Sequence, residues 1–239
     1  MPTAVVIDGA FFLRRFRHGF PDLNPSEARN IGLGVTAMAA FHTAAGLGWA
    51  AKSAARQAVQ MGTESTELYR IFFYDCPPLR KRLQFPISKR AHNLEFTESA
   101  ILRQKVHDEL RSTRKVALRL GRLNESLSGW RAKPDAVKKW VSNPGAFAPK
   151  DDDFEVDVMQ KGVDMRLGLD VAAMAFKKQV NRITLVAADA DFVPAVKLAR
   201  REGIDVVLDP MGAIAAQDLL EHVDGTRIAV IERLLDGPY

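Results

Sequence analysis

The sequence predicts an α/β fold, a sandwich of helices around a mainly parallel β-sheet. Three observations predict it: short buried strands, amphipathic helices between them, and a strand, helix, strand unit near the carboxyl end. With 239 residues, of which 47% are hydrophobic and 26% charged, the chain can bury a full core. We expect one domain over residues 1–239, with an insertion.

Four short apolar runs, rich in β-branched and aromatic residues, have the length and continuity of buried strands. They are residues 4–7, 69–74, 183–187 and 206–208. Residues 154–159 alternate apolar and acidic side chains, which predicts a further strand at or near the sheet edge.

Helices are predicted between these strands. Residues 192–202 repeat apolar side chains at helical spacing, and Gly203 can end that helix. The strands on either side complete the unit that a parallel crossover requires. A second helix is predicted over residues 163–178, with one buried apolar stripe.

Residues 85–150 are predicted to form a basic helical insertion. Apolar positions between Glu95 and Trp140 are interleaved with basic residues, and Pro134 suits the first turn of a further helix. From Arg80 to Trp140 there are 16 Lys and Arg against 6 Asp and Glu, although the whole chain has a net charge of only +5. Such a segment either contacts a polyanion or is a solvated helical face.

The cysteine and histidine content argues against two classes of protein, disulfide-stabilised scaffolds and zinc hydrolases. Cys76 is the one cysteine, so no internal disulfide can form, and the five histidines lack zinc-ligand spacing. No apolar run approaches the roughly 20 residues of a membrane span, and no basic leader precedes the first strand. We expect a soluble, cytoplasmic protein with no membrane partner. The oligomeric state, a homo-oligomer included, stays open.

Glycines at residues 32–37 and 46–51 match the loose form of a dinucleotide-binding loop. Neither segment directly follows a predicted strand, and both are rich in alanine. We expect close helix packing there and no dinucleotide cofactor.

An aspartate follows each main strand, at the rim where an open parallel sheet binds its ligands. These residues are Asp8, Asp75, Asp189 and Asp209. A single such aspartate more often caps a helix or starts a turn, and Asp209, which precedes a proline, is interpreted that way. Asp189 and Asp191 form a stronger signal, because Asp-x-Asp places two carboxylates at one strand-to-helix switch.

Carboxylates that converge on one rim need a partner. Two of them 4 Å apart repel by roughly 4 kcal/mol at an effective dielectric near 20, so a cluster needs a cation or raised pKa values. Oxygen ligands favour a hard ion, Mg²⁺ or Mn²⁺, which typically also binds substrate phosphate. The acidic rim and the basic segment together indicate phosphodiester cleavage.

Two segments, residues 160–170 (QKGVDMRLGLD) and 185–194 (LVAADADFVP), resemble the NYN domain, in particular its bacterial LabA-like branch. Residues 6–9 (VIDG) open the chain as that family does, and the resemblance spans residues 1 to about 225 apart from the insertion. It implies a PIN-like fold and a Mg²⁺- or Mn²⁺-dependent ribonuclease that leaves 5′ phosphates and 3′ hydroxyls. The catalytic and metal-binding residues it implies are Asp8, Asp164, Asp189 and Asp191.

Other residues are secondary candidates. Asp75 and Asp170 could support the site, although Asp170 could instead pair with Arg166 one helical turn away. The candidate contacts to substrate phosphates are Lys161, Arg14, Arg15, Arg114, Lys115, Arg119 and Arg122. Aromatic residues alternate with cations over residues 11–17, as in single-strand binding surfaces, but packing of the phenylalanines in the core is the favoured interpretation.

The chain departs from the family pattern at two places. Many NYN domains have Asn shortly after the first Asp, where this chain has Ala10, Phe11 and Phe12, and Ser or Thr before Asp-x-Asp, where it has Ala187 and Ala188. Such polar groups support metal and substrate binding. A non-catalytic RNA-binding or protein-interaction module is therefore the alternative function, and DNA in place of RNA stays open.

Overall fold

The computed structural model describes residues 2–43, 67–158 and 160–229. Its strands are β1 (Thr3–Asp8), β2 (Leu68–Asp75), β3 (Arg82–Gln84), β4 (Ala91–Asn93), β5 (Val116–Leu120), β6 (Arg122–Leu123), β7 (Gly129–Ala132), β8 (Phe154–Asp157), β9 (Gln160–Lys161), β10 (Arg182–Val186), β11 (Asp205–Asp209) and β12 (Gly225–Thr226). Its helices are α1 (Gly9–Gly19), α2 (Ala28–Thr43), α3 (Glu98–Ser112), α4 (Pro134–Ser142), α5 (Val163–Phe176), α6 (Val193–Arg201) and α7 (Gln217–His222). Within these ranges, no helix is both long enough and apolar enough to cross a membrane.

Six parallel strands form the main sheet in the order β12, β11, β10, β1, β2, β5. The α/β class and the mainly parallel sheet are thus confirmed. From β1 the chain builds outward through β2 to β5, and it later builds the other half from β10 through β11 to β12. The topological switch point lies between β1 and β10, and such a point is where an open α/β sheet forms its ligand crevice.

Helices cover both faces of the sheet, which makes three layers. Side chains alternate along each strand, so neighbouring residues enter different cores. Val5 and Ile7 pack with α1, α2 and α3, whereas Ala4 and Val6 pack with α5, α6 and α7. The four predicted buried strands and the two predicted helices on the second face are confirmed.

The predicted helical character of residues 85–150 is correct only in part, because the segment contains two helices and also several strands. This segment supplies the core helix α3, with Val106 and Leu110 buried, and also the main-sheet strand β5. Strand β5 lies at the edge of the sheet, and all its residues are partly exposed. Its sequence therefore tolerates Arg119 and lacks the continuous apolar run that marks a central strand. Outside the sandwich lie the pairs β3–β4, β6–β9 and β7–β8, together with α4, which begins at Pro134 as predicted.

The predicted strand near residue 154 exists, but it lies in the small antiparallel β7–β8 pair rather than at the edge of the main sheet. Its partner strand β7 comes from the segment predicted to be helical. Strand β8 leads through β9 to α5, so these outer elements adjoin the rim of the main sheet.

Gly34 allows α2 to pack closely on α1. A Cβ atom there would lie 2.6 Å from Cε2 of Phe16 and 3.2 Å from Cδ2 of Phe20. The glycines at residues 32–37 therefore serve helix packing, as predicted. The similar motif at residues 46–51 lies outside the described residues.

We expect opposite effects from alanine at two helical glycines. Gly34→Ala forces a methyl group against the buried ring of Phe16, and overpacking of this kind costs about 1–3 kcal/mol. Gly168→Ala, in α5, has no atom within 4 Å of the new Cβ and should gain about 0.5–1 kcal/mol from helix propensity. Urea denaturation midpoints of the two variants measure the contrast. Equal midpoints would contradict the close packing at Gly34.

Candidate active site

Asp8 ends β1 at the switch point and is half-buried. Its Oδ1 accepts a hydrogen bond of 3.2 Å from the backbone N–H of Phe11 and so caps α1. Burial is the main cause that raises the pKa of Asp8, and the charge of Asp164 raises it further, whereas the Phe11 N–H and the Arg14 cation lower it. Arg14 therefore belongs to the electrostatic surroundings of this carboxylate.

Asp164 lies in the first turn of α5, which begins after Gly162 in a left-handed conformation with φ of 78°. The side chain is exposed by surface area, yet loss of hydration is the largest cause that raises the pKa of Asp164. The negative charges of Asp191 and Asp189 raise this pKa further. Asp164 is thus coupled to Asp8 on one side and to the Asp-x-Asp pair on the other.

Asp189 and Asp191 follow β10, on the other side of the switch point, and both are exposed. The Oδ1 of Asp189 accepts a hydrogen bond of 3.2 Å from the backbone N–H of Asp191, which fixes the turn between them. Asp8 and Asp189 therefore lie at the ends of neighbouring strands, and Asp164 lies within electrostatic range of Asp8, Asp189 and Asp191.

The chemistry of this donor set fits a hard divalent cation, because all four groups are carboxylates and their repulsion is what a cation relieves. Their spacing is wider than a closed ligand shell. Among residues 2–43, 67–158 and 160–229, no three Asp, Glu, His or Cys side chains converge closely enough to hold a metal ion. Asp8 and Asp189 each use one oxygen to cap a backbone N–H.

Asp75 also ends a strand at the rim, but its carboxylate is bound by buried and half-buried side chains of the protein itself. The side chain is fully buried and accepts hydrogen bonds from Arg103 Nη1 at 3.1 Å and from His107 Nε2 at 2.8 Å. Arg103 and His107 lie four residues apart on α3, and the sequence reasoning missed both. The available signal was this pair of polar residues on a helix face that also carries buried Val106 and Leu110.

Asp209 is likewise bound by groups of the protein itself, which agrees with its interpretation as a turn residue. It is buried, accepts hydrogen bonds from the backbone N–H groups of Met211 and Ala229, and lies 2.8 Å from Nε2 of His42. Asp75 and Asp209, the two strand-end aspartates farthest from the switch point, are therefore the ones that the fold buries and pairs.

Asp170, on α5, pairs with Arg119 rather than with Arg166. Its Oδ2 accepts hydrogen bonds of 2.9 Å from Arg119 Nε and from the hydroxyl of Tyr74. Burial, followed by the charge of Asp170, raises the pKa of Tyr74, so the hydroxyl stays a donor. The effect of Asp170 is to position Arg119, whose guanidinium also lies over the ring of Phe72.

The other candidate cations divide between the two edges of the sheet. Arg122 lies directly opposite Lys161 in the β6–β9 pair, three residues before Asp164. Arg114 and Lys115 precede β5 and so lie at the amino-terminal edge, opposite the rim. Their predicted contact with substrate at the carboxylates does not fit this placement.

The aromatic residues of α1 fill the core. Phe11, Phe12 and Phe16 are buried, which confirms the favoured interpretation of residues 11–17. Arg15 donates from Nε and Nη2 to the carbonyl oxygen of Met211 and thereby holds the loop after β11.

A model of the NYN domain matches residues 91–225, more than half of the chain. The chain belongs to the NYN domain family. The matched part of this NYN domain contains Asp164, Asp189 and Asp191, and it also contains most of the segment expected to be an insertion. The match includes α3 and β5 and begins after Asp8.

Two further proteins are similar to this chain. The uncharacterized protein MJ0482 of Methanocaldococcus jannaschii is 29% identical over 73 residues, which cover 29% of this chain and 30% of that protein. This NYN domain thus matches less than a third of that relative's length. The crystal structure of a protein of unknown function, VPA0982 from Vibrio parahaemolyticus RIMD 2210633, superposes with a TM-score of 0.46 at 14% identity, over 95% of this chain and 91% of that one.

We expect Asp164→Asn to stabilise the metal-free protein at pH 7. A raised pKa means that the folded state favours the protonated carboxyl, a contribution that is complete below the ordinary pKa and lost as the pH rises through the folded-state value. Asn imitates the protonated form, and with solvent screening the gain is on the order of 1 °C in Tm.

Thermal unfolding in EDTA at pH 7 and near pH 3 measures this effect, and the gain should vanish at the lower pH. Asp152→Asn, at an exposed position in the turn Asp151–Asp153, is the matched control and should not change Tm. A lower Tm for Asp164→Asn at pH 7 would contradict the raised pKa.

Proposed function

We propose that this NYN domain is a divalent-metal-dependent ribonuclease. The observation that carries the proposal is the coupling of Asp164 with Asp8, Asp189 and Asp191 at the switch point of the sheet. A folded protein gains no stability from placing like charges within electrostatic range of one another. Membership of the NYN family, whose PIN-like fold is generally associated with nucleases, supports a nuclease over other uses of an acidic rim.

Asp8, Asp164, Asp189 and Asp191 would hold Mg²⁺ or Mn²⁺. When bound, the ion would lower the pKa of an attacking water and stabilise charge on the attacked phosphate. The carboxylates supply the negative charge that retains the cation, and the caps at Phe11 and Asp191 fix the backbone from which two of them extend. No nucleophilic side chain is required.

Cations on both sides of the acidic cluster suit a polyanionic substrate. Arg14 lies close enough to Asp8 to lower its pKa, and Arg122 and Lys161 lie side by side ahead of Asp164. Arg119 is held in place by Asp170 and Tyr74. We infer RNA as the substrate, with DNA as the alternative, and we assign the domain to the LabA-like branch on the segments QKGVDMRLGLD and LVAADADFVP.

One observation favours a second function, a non-catalytic module that binds RNA or protein. Phe11, Phe12 and Ala187 occupy positions where many family members have polar residues, and all three are buried in the apolar core. The chain has therefore replaced polar support beside Asp8 and Asp189 by packing.

The ribonuclease proposal predicts metal-dependent cleavage of labelled single-stranded RNA. Product should form with Mn²⁺ or Mg²⁺ and not with EDTA, and Asp189→Asn should reduce the rate by at least about 100-fold, because it removes a ligand charge. Asp152→Asn is the matched control at full rate. RNA binding without cleavage by the unmodified chain, unchanged by EDTA and by Asp189→Asn, would reject the ribonuclease in favour of the binding module.

The placement of the cations predicts a split in the salt dependence of RNA binding. Single-stranded binding loses about 0.7 in the slope of log affinity against log salt for each phosphate contact removed. Arg122→Gln with Lys161→Gln should therefore flatten the slope by about 1.4. Arg114→Gln, at the opposite edge of the sheet, is the matched control and should leave the slope unchanged. A larger effect of Arg114→Gln would place the RNA on the other edge.

A further inference from the structure

A pocket of about 330 Å³ opens beside the acidic cluster and takes no part in the site described above. It lies where the segment after β2, the start of α3 and the strands β6 and β9 meet. Its wall is largely apolar, with Pro77, Leu94 and Leu123, and its polar members include Ser99, Arg103 and Gln160. We name it the Arg103 pocket. Its volume and its few polar groups are typical of a site for a small organic group.

Arg103 is held rigidly for a residue on a pocket wall. Its Nη1 donates to the buried carboxylate of Asp75, which is itself held by His107. Asp75 takes one of the five N–H donors of the guanidinium, so others remain for a ligand. A planar guanidinium fixed by a carboxylate behind it suits bidentate recognition of a phosphate group.

The pocket adjoins the acidic cluster through a tightly packed junction at Gly121. A Cβ atom on Gly121 would lie 2.9 Å from Sγ of Cys76 and from the carbonyl oxygen of Lys161, and 2.7 Å from Cγ2 of Val163. Pro77, on the pocket wall, follows Cys76, and Gln160 precedes Lys161. Burial raises the pKa of the Cys76 thiol to about 11, and the charges of Asp75, Arg103 and Asp164 all act on it. One thiol thus lies within electrostatic range of both the pocket arginine and the acidic cluster.

An aromatic cluster extends from the far wall of the pocket. Val156, on that wall, lies directly opposite Trp130 in the β7–β8 pair, and directly opposite residues project from the same face. The Trp130 ring lies 5.1 Å from that of Phe85 and 5.8 Å from that of His92, and all three residues are partly exposed. The guanidinium of Arg90 lies over Phe85. Half-exposed aromatic rings beside a cation are the surface on which single-stranded bases stack.

We propose that the Arg103 pocket binds one nucleotide of a single-stranded RNA next to the bond that is cleaved, with that nucleotide's phosphate on Arg103. This inference rests on the proposed function. The aromatic cluster beyond the pocket favours a continuous strand over a free mononucleotide, because it offers the next bases a stacking surface.

Binding of fluorescein-labelled hexauridylate, measured by anisotropy in EDTA on the full chain with Asp189→Asn, tests the proposal. Arg103→Gln removes a charge-assisted phosphate contact and should weaken binding roughly 10-fold or more. Ser99→Trp fills the pocket without touching Asp75 and should weaken binding by a similar factor. The matched control is Arg182→Gln, which removes an arginine paired with Asp205 at the amino-terminal edge of the sheet and should change affinity less than twofold.

Circular dichroism establishes that each variant is folded. If Arg103→Gln unfolds because Asp75 loses a partner, Ser99→Trp decides. Binding of Ser99→Trp and of any folded Arg103→Gln within twofold of the parent would overturn the pocket assignment. Photocrosslinks from 5-iodouridine should map to peptides that line the pocket, and crosslinks confined to other surfaces would overturn it as well. Displacement of hexauridylate by uridine monophosphate at equal concentration would overturn the assignment to a strand, because the ligand of the pocket would then be a free nucleotide.

The two proposals fail in different ways. Cleavage by the unmodified chain, with pocket variants that bind normally, rejects the pocket and keeps the ribonuclease. Pocket-dependent binding without cleavage in any metal keeps the pocket and rejects the ribonuclease. A parent chain that does not bind hexauridylate rejects the pocket, and cleavage by the unmodified chain with metal then decides the ribonuclease by itself.

Discussion

Repulsion among carboxylates at the switch point between β1 and β10 is the constraint on which the arrangement of the rim depends. The carboxyl ends of parallel strands lie at one edge of the sheet. Aspartates that are far apart in the chain are therefore placed at the same edge, even where their charges repel. Asp164 enters the same space from the start of α5, and the charges of its neighbours raise its pKa. Like charges within range of one another cost electrostatic free energy, and the cation proposed above would relieve that cost.

The strand-end aspartates fall into two groups, one fully buried and one in contact with solvent. Asp75 and Asp209 are fully buried, and an unpaired charge there would be costly, so each lies against a histidine and further donors. Asp8 and Asp189 stay closer to water, where backbone N–H groups are sufficient partners. Burial thus separates the structural carboxylates from those proposed to bind a cation.

Asp75 and Asp209 also hold in place other residues around the site. Asp75 fixes Arg103, and Asp209 holds the turn at Met211, to which Arg15 is also bound. Asp170 does the same for Arg119. Cations around the rim are therefore held in place by buried or half-buried acids, which lowers the entropy that each would lose on contact with a phosphate.

The sequence by itself determined the central strands, the helices α5 and α6, and the positions of Asp8 and Asp189 at strand ends and of Asp164 at the start of a helix. Each of these is encoded locally, by a continuous apolar run, a helical period or a residue at the end of a strand. Only the tertiary structure decided that Val116–Leu120 is a sheet strand and that Asp75 is paired with His107 and Arg103. An edge strand lacks the continuous apolar run, and a buried ion pair joins residues whose proximity depends on how α3 packs against the sheet.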